Sequence, residues 1–280
     1  MKQYFRMYKK HPKAVALRIL VTAAAALTVL MLFSLVFYIL IKGIPNLKPS
    51  LFEWKYTSKN ASMMPAIINT ITMVLMTLLI AVPFGIGSAI YLTEYAKRGN
   101  KVVPVIRMTT ETLSGIPSIV YGLFGYMAFV HWLDWGYSLM AGIITLAIMI
   151  LPLIMRTTEE ALLAVPDSYR EGSYGLGAGR LRTILRVVLP SAMPGILAGV
   201  ILGVGRIVGE TAALIYTAGS VTGVPTSLMS SGRTLAVHMY ALLSEGLYTD
   251  EAYATAVVLL VLVFIINRLS AYVANKIQNR

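Results

Sequence analysis

Six stretches of the chain are apolar for about 20 residues or more, the length a helix needs to cross a bilayer core. They cover roughly residues 15–41, 65–93, 112–133, 136–155, 191–217 and 252–275. Strands of a membrane barrel would alternate and be about 10 residues long, so these runs predict helices. The pattern predicts an all-α integral membrane protein with six transmembrane helices. The first run has a basic lead and many alanines, like a signal peptide, but it exceeds the usual apolar core of about 7–15 residues and reads as an uncleaved anchor. Two polar stretches are long enough to carry function, residues 156–190 and residues 218–251. The resulting division is a tail (1–14), a first helix with its loop (15–64), a transmembrane core (65–275) and a short tail (276–280). No internal repeat or low-complexity linker interrupts it.

Charge orients the helices. Counting Lys and Arg with the N-terminus inside puts 17 on one side and 5 on the other, with Arg18 and Arg206 within spans. The richer side holds Lys2, Arg6, Lys9, Lys10 and Lys13 of the tail, the loops around Lys97–Arg107 and Arg156–Arg186, and Arg268, Lys276 and Arg280. By the positive-inside rule both ends are cytoplasmic. The composition agrees: 57% of the 280 residues are hydrophobic and 13% charged, against about 25% charged in soluble domains. The net charge of +12 therefore reads as topology and not as a nucleic-acid footprint. With no Cys, disulfides, Cys metal sites and thiol nucleophiles are excluded.

The cytoplasmic loop reads RTTEEALLAVPDSYREGSYGLGAGRLRTILRVVLP. Thr157 with Glu160 fits a capping box at a helix start. Pro166 and Asp167 open another helix, and Gly177 and Gly179 allow a sharp turn. Leu181, Ile184, Leu185 and Val188 then share a helical face, and Pro190 ends the run. On these features alone the segment is either an ordinary interfacial helix pair or a docking element.

The fifth span carries Arg206 near its middle, where a charge costs about 2.5–3.5 kcal/mol on insertion scales. Glu210 follows at i+4, on the same face of a continuous helix. Gly195, Gly199 and Gly203 fall on the same stripe, at small-xxx-small spacing that lets a neighbouring helix approach. A buried ion pair locking helices together is one reading. A polar pathway is the other, because a packed apolar pair would be as stable. Guanidinium offers a planar fork of donors suited to phosphate or carboxylate, so the expected cargo is an anion.

Two resemblances bear on these segments. Glu171-Gly172-Ser173, three residues, Gly177, nine residues, Val187-Val188-Leu189-Pro190 resembles the EAA loop of ABC importer permeases, with Gly172, Ser173 and Val187 departing from Ala, Ala and Ile. Arg206-Ile207-Val208-Gly209-Glu210-Thr211 resembles the Arg-x-x-Gly-Glu-Thr segment of phosphate-importer permeases of the PstA type. The stretches Ala89–Tyr95 and Ser114–Gly125 are similar to the same family, so the resemblance covers about residues 65–217. It implies the type I importer permease fold. It also implies that Tyr169, Arg170, Glu171, Gly172, Ser173, Leu176 and Gly177 form a coupling helix docking on a separate ATPase. Arg206, Glu210 and Thr211 would line the phosphate pathway.

The implied partners are a second permease subunit (PstC type), two copies of a cytoplasmic ATPase (PstB type), an external phosphate-binding protein (PstS type), inorganic phosphate and the lipid bilayer. The implied location is a bacterial or archaeal cell membrane. The chain has no GxxxxGK[ST] sequence, so no cofactor is expected on it, and ATP and Mg would sit on the ATPase. The alternatives are a permease for sulfate, molybdate or phosphonate, an anion channel or secondary transporter, and a membrane-embedded enzyme.

Other candidates are weaker. His131 and His238 have no HExxH motif around them, and Ser138 has no following Gly to complete GxSxG. Pro83, Gly85 and Gly87, and separately Pro117, mark either a broken helix lining a cavity or a simple kink. Ser230-Ser231-Gly232-Arg233 is expected to be a surface turn rather than an anion site, and residues 236–243 a short helix.

Overall fold

The computed structural model describes residues 12–97 and 99–278. The tail bases Lys2, Arg6, Lys9 and Lys10, with Arg98 and Arg280, lie outside the described residues. Among the described residues every regular element is helical. They are α1 Pro12–Gly43, α2 Met64–Tyr95, α3 Val102–Ser114, α4 Ser118–Trp132, α5 Leu139–Leu163, α6 Asp167–Gly175, α7 Arg180–Val208, α8 Ala212–Thr217, α9 Leu235–Glu245 and α10 Thr249–Gln278. Five are long and apolar enough to span a bilayer, and the bent pair α3–α4 supplies a sixth.

The core is built by α2, α5 and α7, which bury Met73, Ala81, Leu146, Ile150, Ile154, Val204 and Ile207 among one another. Glycines set the spacing. A Cβ at Gly85 would lie 2.7 Å from Ile154, and one at Gly195 2.6 Å from Ala161. At Gly199 it would overlap the Thr157 hydroxyl. Gly195, Gly199 and Gly203 of α7 therefore face α5, as small-residue packing in membranes requires. The first helix lies outside this core, held mainly by α10, where Tyr38 and Tyr253 meet edge to face.

The third span is shorter than the apolar run implied. Pro117 has no amide hydrogen and pushes Ile116 out of helical backbone. α3 and α4 consequently meet at a 101° bend. Thr112–Ser114 belong to the preceding helix, and Pro117 marks a break. Pro83, by contrast, lies inside continuous α2, so the broken-helix reading fails there.

The segment over residues 156–190 is more helical than a loop. α5 runs to Leu163, so Thr157 and Glu160 are inside a helix and not a capping box. Thr157 bonds back to Leu153 O at 2.9 Å, and Arg156 pairs with Glu160 at 3.0 Å on the exposed side. Pro190 does not end a helix. Residues Ile184–Val188 are wound as a π-turn, closed by Leu189 N–H on Ile184 O. That wider turn accommodates a proline that an α-helical register would exclude. Leu181 and Leu185 are exposed while Ile184 and Val188 are buried, so the four do not share one buried face.

On the external side Asn69 and Thr70 of α2 hold the 218–235 loop. Asn69 Nδ2 donates to Gly223 O and Arg233 O, both at 3.1 Å, and Thr70 Oγ1 accepts from Leu235 N at 2.8 Å. The expected short helix is α9, started by Thr234 and closed by Gly246 in left-handed backbone at φ 71°.

Candidate functional site

The fifth span ends earlier than its apolar length implied. α7 stops at Val208, Gly209 caps it, and the chain restarts as α8 at Ala212. Arg206 thus stands in the last turn of α7, where the carbonyl end of the helix dipole favours a cation. It is half-buried on the border of two faces. Gly203 and Ile207 lie on the buried side, and Leu202 and Gly209 on the exposed one.

Glu210 does not share a helical face with Arg206, because the helix linking them has ended. Its Oε1 accepts the Ala213 N–H at 3.1 Å instead. Among the described residues no ion pair or side-chain hydrogen bond engages the Arg206 guanidinium. The reading of a locking ion pair therefore loses its pair. Thr211 closes the break, its hydroxyl reaching Gly209 O at 3.4 Å.

The break is held in place by α4. A Cβ at Gly122 would lie 2.7 Å from Ala213 Cα, so α8 rests directly on the α4 backbone. Tyr121, beside it, is buried, bonds Leu113 O at 2.8 Å and lies within electrostatic reach of Arg206. Sequence reasoning missed Tyr121 as a neighbour, since only the α4–α8 contact brings it there. The site is thus one uncommitted guanidinium beside a helix break. Its donors can receive an oxyanion from the open side.

The second candidate surface is α6 with the turn that follows it. Tyr169, Glu171, Gly172, Tyr174, Leu176 and Gly177 are exposed, Leu176 at 91%. Gly177 holds φ +80°, left-handed backbone that a side chain resists. Two of the proposed contact residues turn inward. Ser173 is half-buried, its hydroxyl 2.9 Å from that of Thr183. Arg170 is consumed within the chain, pairing with Glu94 at 2.7 Å, so it does not present its charge to a partner. Glu94 was not singled out by sequence: 76 residues from Arg170, it carries no spacing signal.

The remaining candidates resolve simply. Ser138 caps α5, accepting from Ala141 N at 3.3 Å. Arg233 is not in a surface turn; it is 4% exposed and stacks on the Tyr56 ring at 4.8 Å. Burial lowers its pKa. Beside it His238 is fully buried, and burial and then the Arg233 charge bring its pKa down to about 3. Among the described residues no cluster of His, Cys, Asp or Glu could hold a metal.

Residues 81–279 match the family described as the binding-protein-dependent transport system inner membrane component. The chain is 34% identical over 277 residues to a probable ABC transporter permease protein, YqgI, of Bacillus subtilis, covering 91% of this chain and 93% of that one. It is 33% identical over 237 residues to the phosphate transport system permease protein PstA of Pasteurella multocida, covering 83% and 84%. Its fold superimposes on a chain of a bacterial alginate ABC transporter with a TM-score of 0.70 at 16% identity, over 98% of both chains. The matched segment takes in α4, α6, the α7–α8 break and α10, so the chain belongs to the binding-protein-dependent transport system inner membrane components, the permeases of ABC importers.

Proposed function

We propose that this permease forms half of the membrane pathway of an ATP-driven inorganic phosphate importer, as a subunit of the PstA type. The observation that carries this reading is Arg206, half-buried at the end of α7 with no ion pair or side-chain hydrogen bond among the described residues. It stands in the segment that resembles phosphate-importer permeases, and the Pasteurella PstA relative supports the same cargo. A fork of donors next to a helix break gives an oxyanion short charge-assisted bonds without first displacing a carboxylate. A single cation is a modest counter-charge for phosphate, so a second permease of the PstC type is expected to bring another.

The exposed face of α6 supports docking on a separate cytoplasmic ATPase, present in two copies and carrying ATP and Mg. An external phosphate-binding protein would deliver the ion on the α9 side. Closure of the ATPases would displace α6, move α7 and switch access from outside to inside. The complex would reside in the inner or plasma membrane of a bacterial or archaeal cell.

The test is uptake by the reconstituted complex with its binding protein, comparing phosphate with sulfate, molybdate and phosphonate. Phosphate-dependent uptake that the other anions do not match supports the reading. Preference for another oxyanion replaces the cargo and leaves the pathway; failure of every anion removes both.

A further inference from the structure

The second span does not end as an α-helix. Its last turn, Tyr91–Tyr95, is wound as a π-helix and closed by Ala96 N–H on Tyr91 O at 2.9 Å. Such wide turns sit at places where a helix changes register, and often at functional sites. Two arginines from different cytoplasmic elements meet this one turn.

The first is Arg170 of α6. Its Nη2 and Nε bond Glu94 Oε1 at 2.7 and 3.2 Å. Nη2 also donates to Leu162 O at 2.9 Å, and Nη1 to Val165 O at 2.8 Å and Asp167 Oδ1 at 3.2 Å. Every guanidinium nitrogen is committed, and the side chains of Arg170 and Glu94 are 15% and 6% exposed. A single side chain thus fastens α6 to the end of α2 and to the end of α5. The second is Arg180, the first residue of α7, whose guanidinium lies over the Tyr95 ring at 5.0 Å.

These contacts point away from the exposed face of α6, where Tyr169, Tyr174 and Leu176 lie. A push on that face would reach the spans through the inward contacts. Lysine could keep the charge of Arg170 but not its fork, which bonds a carboxylate and two carbonyls together. A buried pair of this kind is weak evidence for stability alone. Its use is to make two elements move as one.

We infer that the π-helical end of α2 receives the motion of the coupling helix, with Arg170 and Glu94 as positioning residues and Arg180 on Tyr95 tying the fifth span to the same turn. This rests on the reading of α6 as the ATPase-docking element, so the test must separate the two.

The full complex with its ATPase and binding protein is reconstituted in liposomes. ATP hydrolysis, inorganic phosphate uptake and subunit co-purification are measured for Arg170→Lys, Glu94→Gln, Tyr95→Leu and Leu176→Asp. In the first two, assembly and hydrolysis are retained while uptake falls, so ATP used per phosphate rises about tenfold; Tyr95→Leu raises it less, about threefold. A merely structural pair would lower both activities together or prevent assembly, and either result in Arg170→Lys and Glu94→Gln overturns the inference, as does an unchanged ratio. If Leu176→Asp weakens ATPase binding while Arg170→Lys leaves the ratio unchanged, this inference alone fails. If Leu176→Asp changes neither binding nor activity, the docking reading of α6 fails with it.

Discussion

Glu210 spends its carboxylate on the Ala213 amide, 3.1 Å away, and not on Arg206 four residues before it. The acid therefore shapes the break between α7 and α8, and the base is left to the open side. Glu210→Ala removes this cap and should lower the stability of the purified complex by about 1 kcal/mol, in line with lost helix caps. Glu210→Gln keeps an oxygen acceptor and should lose less. Thermal unfolding of the two variants compares them; equal losses would mean that the negative charge, and not the acceptor, is what the break uses.

Gly199 packs where a methyl group would overlap the Thr157 hydroxyl. Gly199→Ala should destabilise the α5–α7 contact by about 1–3 kcal/mol, the usual cost of overpacking. Thr157→Ala in the same chain should restore most of it. Gly203, where a Cβ would sit 3.9 Å from Ile150 and Ile154, should accept Ala at little cost. Melting temperatures of the three variants decide it.

Most of the fold was legible, because span length and loop charge are local properties of a membrane chain. The glycine spacing of α7 was legible for the same reason, since one helix's periodicity sets its packing face. The misses came from backbone events. Pro190 reads as a stop in any α-helical register, and only the π-turn before it lets α7 continue. Gly209 gives no hint of a helix end inside an apolar run, so the i+4 spacing of Arg206 and Glu210 predicts a shared face that the break removes. The Arg170–Glu94 pair joins residues 76 apart, and Arg233 is buried by a segment, around Tyr56, that precedes the second span. Contacts of this range have no period to read.

His238 makes the external cap sensitive to acid. Its folded pKa is about 3, below the roughly 6.5 of an unfolded histidine. The stability this neutral group permits is complete above about pH 6.5 and is lost as pH falls toward 3, because only the unfolded form takes the proton. At pH 5 the loss should be about 2 kcal/mol. His238→Phe keeps a ring beside Tyr56 and should flatten that part of the fall in melting temperature between pH 7 and 5. An unchanged pH profile would count against the buried neutral imidazole.

Gly177 holds φ +80° with no atom within 4 Å of an added Cβ. Any loss from substitution there is conformational and not steric. Gly177→Val should strain the turn after α6 by about 1–2 kcal/mol and raise ATP use per phosphate. Gly177→Asn, which tolerates left-handed backbone, should be milder. Paired hydrolysis and uptake assays give the ranking.

The most direct test of the pathway is phosphate uptake by the reconstituted complex carrying Arg206→Ala, measured beside its ATP hydrolysis and subunit composition. The account predicts an intact complex in which uptake is lost, with Arg206→Lys retaining a small part of it because a point charge replaces the fork. Uptake at the wild-type rate in an assembled Arg206→Ala complex would contradict it.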